Sequence, residues 1–476
     1  MIRRIDTILL CYVVLAVISP AQTFKTLYTF TGGADGESPG VPLVQGLDGS
    51  FYGTTEYAGD YIYGGSVFGI TREGVETTLF SFDYTDGRGM FDSGLDFGGL
   101  VQAVDGYLYG ATPGGGANTG CDFGSGCGTI YKIDPAGTLT TLYNFDGTEG
   151  NGPGWLMQAL DGYIYGAAGG GGPSNACFGG CGTLFKFSTS GVLTTLHYFM
   201  GTDGGQPVGV IQASDGNFYG TTVAGGANGD GTVFRMTPEG GITTLHSFDG
   251  SDGSSPFGGV IQALDGNFYG TTMSGGANND GSVFKITPGG ALTTLHSFDG
   301  SDGGWVYGGL VQATDGNFYG TTGNGGAAGL GTIYQIDSQG VFTTIYNMGA
   351  NGYLPMVGLL QATDGSFYGT TRGAIAGEGG TGTSNGTIFV LSMGLDRFVK
   401  TLPHASTVGS TVKILGTNLT GATNVTFNGI AATFSVLRPS LMAATVPAGA
   451  TTGSVQVTTS GATLLSNIPF RVLQWI

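Results

Sequence analysis

The chain has 476 residues, of which 96 are glycine, 10% are charged and 40% are hydrophobic. The aromatic content of 11% excludes a disordered glycine-rich chain. The glycine content argues against long helices, because each interior glycine costs a helix about 1 kcal/mol relative to alanine. A net charge of −18 at pH 7 disfavours nucleic acid and anionic lipid as partners, since both are negatively charged.

The first 21 residues are typical of a secretory signal peptide. Arg3 and Arg4 form a basic start, residues 7–18 are apolar, and Ser19 and Ala21 fit a cleavage site after Ala21. The apolar run is shorter than the roughly 20 residues of a membrane-spanning helix. We therefore predict a secreted or extracytoplasmic protein, in the periplasm or at the cell surface, with no membrane insertion after cleavage. An uncleaved N-terminal anchor is the alternative.

One phrase occurs seven times in the chain, for example as VIQALDGNFYGTT at 260–272. Phrases such as GSVFKI and TTLHSF follow it, so each copy contains four short segments rich in β-branched and aromatic residues. An Asp-Gly pair between the first two segments is typical of a tight hairpin turn. Four antiparallel strands at a period near 50 residues predict the blades of a β-propeller.

The seventh copy lacks the last of these phrases and ends near Ser392, whereas an extra copy, KTLYTF, lies at residues 25–30. We predict that this N-terminal segment supplies the missing strand of the last blade. The predicted fold is thus all-β, with a seven-bladed β-propeller over residues 22–394 closed by an N-terminal strand. An immunoglobulin-like β-sandwich is predicted over residues 395–476, where the repeat ends and the sequence is rich in Thr and Val.

Two resemblances to known families agree with this division. Residues 24–393 resemble the GloVer tandem repeat of secreted bacterial "choice-of-anchor" proteins, which implies no catalytic residues. The tail resembles an IPT/TIG domain, an immunoglobulin-like module, at positions that include Gly409, Asn418, Phe427 and Pro447. This second resemblance implies a spacer or an interaction domain.

Four cysteines follow the predicted signal peptide and form two local pairs, Cys121 with Cys127 and Cys177 with Cys181. Because export implies an oxidising compartment, we predict two disulfides, each within one loop. Metal binding is the alternative, but no histidine lies near and neither spacing is typical of zinc.

His197, His246 and His296 occupy one repeat position that holds Phe or Tyr in the other copies, so we interpret it as a packing position. The aspartates of the Asp-Gly pairs are explained by turn formation.

Turn formation also explains the links DGSDGSS and DGSDGG. The alternative there is calcium binding by Asp249, Asp252, Asp299 and Asp302, although the late bidentate glutamate of a full calcium loop is missing. No other metal and no cofactor is predicted.

Strand alternation places the two short links of each copy at one face of the ring and the two long links at the other. Binding residues are usually on loops, and exposed aromatic rings bind sugars and proteins. The predicted ligand-binding residues are Tyr57, Tyr61, Tyr63, Tyr84, Arg88, Trp155, Trp305 and Tyr307. The alternative is that these side chains pack the long loops onto their neighbours.

The repeat symmetry contains no singular catalytic set, so we predict a non-enzymatic binding or scaffold protein. Its loops would bind a glycan or a cell-surface protein. One alternative is a polysaccharide-active hydrolase or lyase that uses the central cavity, with Arg88, Asp92 and Asp96 as its non-repeated candidates. The other is a purely structural spacer in the envelope.

Overall fold

The structure is a computed structural model that describes residues 22–57, 64–88, 99–121, 126–349, 352–373 and 385–473. These residues form an all-β protein without helices. The predicted signal peptide lies outside the described residues.

The repeat region folds into four-stranded antiparallel sheets, named here sheet 1 to sheet 7 in chain order. Sheet 1 contains β2 (Val44–Gln45), β3 (Phe51–Thr55), β4 (Ser66–Ile70) and β5 (Glu76–Ser81). Sheet 2 contains β6 (Leu100–Gln102), β7 (Leu108–Thr112), β8 (Thr129–Ile133) and β9 (Leu139–Asn144). Sheet 3 contains β10 (Asn151–Gln158), β11 (Ile164–Gly170), β12 (Thr183–Phe187) and β13 (Leu193–Tyr198). Sheet 4 contains β14 (Gly205–Gln212), β15 (Phe218–Ala224), β16 (Thr232–Met236) and β17 (Ile242–Ser247).

The remaining repeat sheets follow the same order. Sheet 5 contains β18 (Val260–Gln262), β19 (Phe268–Thr272), β20 (Ser282–Ile286) and β21 (Leu292–Ser297). Sheet 6 contains β22 (Val311–Gln312), β23 (Phe318–Thr322), β24 (Thr332–Ile336) and β25 (Phe342–Asn347). Sheet 7 contains β26 (Leu360–Gln361), β27 (Phe367–Thr371), β28 (Thr387–Ser392) and, beside β28, the N-terminal β1 (Thr23–Thr29).

The Asp-Gly turn between the first two strands is a three-residue loop, one residue longer than the tightest hairpin. In sheet 5 the amide of Gly266 donates to the carbonyl of Ala263, and Gly266 has φ +83. This is a type I turn followed by a left-handed residue, the position that glycine favours. Asp265 accepts a bond from the Tyr269 hydroxyl, and the equivalent bond recurs in all seven sheets at 2.7–3.0 Å. The structural interpretation of the repeated aspartates agrees with these bonds.

Aromatic side chains pack each sheet onto the next one. The ring of Tyr269 in sheet 5 stacks on that of Phe318 in sheet 6 at 4.1 Å between centroids. Between sheet 7 and sheet 1 the equivalent pair is Tyr368 and Phe51, at 4.0 Å. A buried apolar cluster therefore lies between the last and the first sheet, as between other neighbouring sheets.

Glutamines at the end of each first strand also join neighbouring sheets. The Gln312 Oε1 atom of sheet 6 accepts the amide of Leu264 in the turn of sheet 5. Gln45 of sheet 1 accepts the amide of Thr363 in the turn of sheet 7, at 3.1 Å. The residues that make this contact are Gln45, Gln102, Gln158, Gln212, Gln262, Gln312 and Gln361. This role was missed from the sequence, although glutamine occupies the position in all seven copies.

The C-terminal region forms a separate β-sandwich. One sheet contains β29 (Lys400–Leu402), β31 (Thr411–Leu415), β35 (Leu441–Thr445) and β34 (Phe434–Arg438). The other contains β33 (Ile430–Ala431), β32 (Ala422–Phe427), β36 (Val455–Thr459) and β37 (Thr463–Leu465). Additionally, β30 (Ala405–Thr407) pairs in parallel with β38 (Arg471–Leu473). Side chains such as Ile414, Phe427 and Val457 fill the core between the sheets.

This sandwich contacts the Asp-Gly-turn end of several repeat sheets. Its side chains donate to backbone carbonyls at or next to the turns of sheets 1, 2, 4 and 7. The pairs are Ser440 with Leu47, Lys413 with Val104, Arg471 with Ala213 and Lys400 with Gln361. The C-terminal domain therefore covers part of the end of the repeat region where the short turns lie.

Candidate ligand-binding face

The loop face is the end of the sheets opposite the Asp-Gly turns. It is formed by the links between second and third strands and by the links from one sheet to the next. Backbone pairing joins the two kinds of link, as between Ser254 and Ser274 and between Gly304 and Asn324. The long links are thereby held against the ends of the strands.

One position of the sheet-to-sheet link is left-handed in every described copy. In sheet 5 this residue is Ser255, whose amide donates to the carbonyl of Asp230 in the preceding sheet and whose carbonyl accepts the amide of Met273. A left-handed conformation costs a residue other than glycine roughly 1–2 kcal/mol. The described copies of the position, with φ between 52° and 60°, are Ser38, Gly152, Gln206, Ser255, Trp305 and Leu354.

Trp305 is the largest side chain at this position, and 46% of it is exposed. Its neighbour Val306 is fully buried and anchors the link. Tyr307 is half-buried, with its ring 5.5 Å from the ring of Phe257. Of these two predicted ligand-binding residues, Trp305 faces solvent, whereas Tyr307 packs against the neighbouring link.

Trp155 lies in strand β10, where the sequence prediction had placed it in a link. The structure shows β10 with eight residues, whereas the equivalent β18 has three. The Trp155 side chain is half-buried and lies between Gly99 of sheet 2 and Gly209 of sheet 4. Its position favours packing between first strands over presentation on a loop.

Tyr84 and Arg88 lie together in the link between sheets 1 and 2. The Arg88 guanidinium carbon is 5.8 Å from the centroid of the Tyr84 ring, which is 37% exposed. Tyr57 directly follows Glu56 at the end of β3 and is half-buried. The other predicted ligand-binding residues, Tyr61 and Tyr63, lie outside the described residues, as do Asp92 and Asp96 of the hydrolase alternative.

An ion pair that the sequence analysis missed joins sheets 1 and 7 at this face. Arg372 Nη2 lies 2.6 Å from Glu56 Oε2, and the two side chains are 13% and 9% exposed. Burial raises the pKa of the Glu56 carboxyl to about 7, and the Arg372 guanidinium opposes this rise. Both residues directly follow the phrase FYGTT of their copies, which is the signal that could have paired them.

The three histidines bind acidic side chains of the following link. His246 Nε2 lies 2.6 Å from Asp252 Oδ2, and the imidazole packs edge-on against Phe248. The same pair is formed by His197 with Asp203 and by His296 with Asp302, while Tyr143 bonds Glu149 in the link to sheet 3. The interpretation of this position as structural agrees with these repeated contacts.

The calcium candidates are engaged in the same turns. Asp252 also accepts the amide of Asp249, which in turn accepts both the amide and the hydroxyl of Ser251. Asp299 and Asp302 make the equivalent bonds in sheet 6. Within the described ranges, no three His, Cys, Asp or Glu side chains are grouped to bind a metal. These contacts favour turn formation.

Both predicted disulfides are confirmed, joining Cys121 to Cys127 and Cys177 to Cys181. Such bonds are typical of an extracytoplasmic protein. In the part of the chain that the structure describes, no helix has the length and apolar character to cross a membrane.

Three solved structures similar to this chain are each less than 20% identical to it. The extracellular domain of a putative one-component system from B. thetaiotaomicron is 12% identical, with a TM-score of 0.48 over 95% of this chain and 58% of that one. This chain thus spans less than two thirds of that protein. A putative gluconolactonase is 11% identical, with a TM-score of 0.37 over 79% of this chain and 94% of that one. A putative glucose dehydrogenase from Thermus thermophilus is 18% identical, with a TM-score of 0.38 over 62% of this chain and 95% of that one.

No curated protein matches the chain. The model of the Gloeobacter/Verrucomicrobia repeat matches residues 13–179 and 174–389, and the model of the IPT/TIG domain matches residues 400–472. The first of these covers most of the chain and agrees with the resemblance found in the repeated phrases. The chain therefore belongs to the Gloeobacter/Verrucomicrobia repeat family and carries a C-terminal IPT/TIG domain.

Proposed function

We propose that this protein is a non-enzymatic extracytoplasmic binding protein whose loop face carries the ligand site. In this proposal the repeat sheets are the seven blades of a propeller, and β1 completes the last blade. No cofactor takes part, and nucleic acid is disfavoured as a ligand by the net charge of −18.

The contacts between sheets 7 and 1 support a closed ring. They repeat the contacts of the other neighbouring sheets in kind, with the Tyr368–Phe51 ring pair and the bond from Thr363 to Gln45. They also include the Glu56–Arg372 ion pair. An open arc would leave these groups of its first and last sheets without partners.

The position of the C-terminal domain is the observation that carries the choice of face. Lys413, Ser440 and Arg471 of that domain contact the Asp-Gly-turn end of the repeat sheets. The opposite end carries the long links, in which side chains differ from copy to copy on a repeated backbone. A rigid scaffold with variable loops is the usual arrangement of a binding site.

Selective blocking of one face tests this proposal. A 20-kDa polyethylene glycol would be attached to Ala227→Cys on the loop face or to Glu239→Cys at the other end of the same sheet, both at exposed positions. Ligands would be sought on a glycan array and by capture from envelope extracts. We expect the modified Ala227→Cys protein to lose binding and the modified Glu239→Cys protein to retain it; the reverse result would contradict the proposal.

A further inference from the structure

Sheets 5 and 6 align at an interval of 50 residues and differ sharply in one small region of the loop face. In sheet 5 the hydroxyl of Ser254 donates a hydrogen bond to Asp230 Oδ1 at 2.8 Å. The Asp230 carboxylate is therefore already bonded within the protein. The next residue is Ser255, and Met273 lies opposite it. This region of sheet 5 is thus filled by its own side chains.

In sheet 6 the same positions carry different side chains. Gly304 replaces Ser254, Gly323 replaces Met273, and Trp305 replaces Ser255. The side chains of Asp280 and Asn324 have no hydrogen-bond partner among the described residues. A methyl group built on Gly304 would lie 2.6 Å from Asn324 Oδ1 and 3.4 Å from Asp280 Oδ1. The Asn324 and Asp280 side chains therefore lie over the buried Gly304, in the space that a larger residue at 304 would need.

The exposed Trp305 is the residue next to Gly304 in the chain. A methyl group on Gly323, the residue before Asn324, would lie 3.0 Å from the Trp305 carbonyl oxygen, 3.6 Å from Met356 Cγ and 3.7 Å from the Trp305 Cβ atom, so Trp305 packs directly against this glycine. Trp305 has φ +52, a conformation that is strained for a bulky residue, and its exposure of 46% leaves little burial to offset the strain. Strained residues of this kind cluster at ligand-binding sites.

We propose that Trp305, Asp280 and Asn324 form a site for a neutral saccharide; this inference rests on the proposed function of the loop face. The indole stacks on the apolar face of a sugar ring. The Asp280 carboxylate can accept hydrogen bonds from sugar hydroxyl groups, and the Asn324 amide can both donate hydrogen bonds to them and accept hydrogen bonds from them. The net charge of −18 disfavours acidic polysaccharides, which the protein repels.

Binding of three neutral polysaccharides, laminarin, xyloglucan and galactomannan, would be measured by calorimetry and affinity electrophoresis, with alginate as the anionic comparison. The protein used is the chain from residue 22 to residue 476. We expect at least one neutral polysaccharide to bind and alginate to be excluded. Binding of none of the three, or of alginate alone, would overturn the inference.

Substitutions identify the site. Trp305→Ala should weaken binding at least tenfold without lowering the melting temperature, because the side chain is exposed. Gly304→Ser should also weaken binding, since the new hydroxyl reaches Asp280 as Ser254 reaches Asp230. The matched control in sheet 5, Ser255→Ala, should leave binding unchanged.

The two proposals fail differently. Suppose that a polysaccharide binds wild type and Trp305→Ala with equal affinity, and that modification of Ala227→Cys blocks this binding. The proposed saccharide site at Trp305 would then be wrong, whereas the proposed function of the loop face would be supported. Capture of a protein at the loop face, with no polysaccharide bound, has the same meaning. If modification at Ala227→Cys leaves polysaccharide binding intact, the result contradicts the proposed function of the loop face.

Discussion

A disulfide between β1 and β28 measures how far the N-terminal strand closes the repeat region. Lys25 and Val390 are direct partners in the pairing of these strands. Their equivalents within sheet 5 are Thr293 and Lys285, which are partners in a continuous sheet. The two pairs therefore share a local geometry and differ in the length of chain that a bond between them encloses.

The difference in loop length sets the expected stabilisation. In the chain-entropy model a bond from Lys25→Cys to Val390→Cys encloses about 366 residues and stabilises by about 6 kcal/mol, whereas the sheet 5 pair encloses about nine and gives about 2.6 kcal/mol. For a repeat region of about 370 residues, these values correspond to increases in melting temperature of roughly 7 °C and 3 °C. Strain lowers both values, but the matched geometry makes it similar in the two.

Differential scanning calorimetry of the oxidised variants would measure the gain. Each is compared with its own double-serine variant, which cancels the loss of the Lys285–Asp265 ion pair. Ellman titration of the unfolded protein verifies that the new bond has formed. Equal gains for the two pairs would refute the reasoning, because they would mean that β1 adds no long-range closure.

The remaining predictions concern stability. Deletion of residues 23–30 should strongly lower the melting temperature, since it removes β1 and the buried Phe30; an unchanged value in calorimetry would contradict closure by this strand. Burial raises the pKa of the turn tyrosines, as for Tyr219 to about 12, so the stability they contribute is complete below pH 10 and is lost as pH rises above it. At pH 11 we expect the free energy of unfolding to be lower by about 1 kcal/mol for each buried tyrosine, and the melting temperature to fall accordingly. In a titration followed by absorbance at 295 nm, these tyrosines should ionise at a higher pH in the folded than in the unfolded protein. Burial lowers the pKa of Lys400 to about 8, so the free energy of unfolding should rise between pH 8 and 10, and Lys400→Met should abolish that rise in urea titrations. Trp305→Gly should raise stability by roughly 1 kcal/mol through relief of its left-handed conformation, and Gln206→Gly should do the same without affecting polysaccharide binding.

The repeat made the sheets predictable, because seven copies of one phrase identify equivalent positions without any other sequence. The same comparison led to a structural interpretation of His246 and Asp265, and their bonds to Asp252 and Tyr269 agree with it. The role of Gln312 was missed, since its bond to Leu264 crosses between sheets. Local patterns describe a strand and its turn, whereas this contact depends on how one sheet packs against the next.

The candidate site was predictable only in part. Trp305 was selected as an aromatic residue outside the repeat pattern, and its exposure agrees with that selection. Trp155 was selected for the same reason, but it belongs to strand β10 and not to a loop. Its side chain is half-buried between glycines of neighbouring sheets. The partners of Trp305 could not be found in this way, because Asp280 and Asn324 are ordinary loop residues when taken alone. What distinguishes them is the glycine at position 304, where sheet 5 has Ser254.

The left-handed position separates what the fold requires from what the surface presents. The repeated backbone is held by the same pair of hydrogen bonds in sheets such as 5 and 7, through Ser255 and Leu354. Glycine would satisfy that backbone without strain, and Gly152 does so in sheet 3. Selection for stability alone favours glycine at every copy. Ser38, Gln206, Ser255 and Leu354 are left-handed as well, but they are buried or half-buried, whereas Trp305 is exposed. Under the proposed function, contacts with a ligand outside the chain would explain an exposed tryptophan at this position.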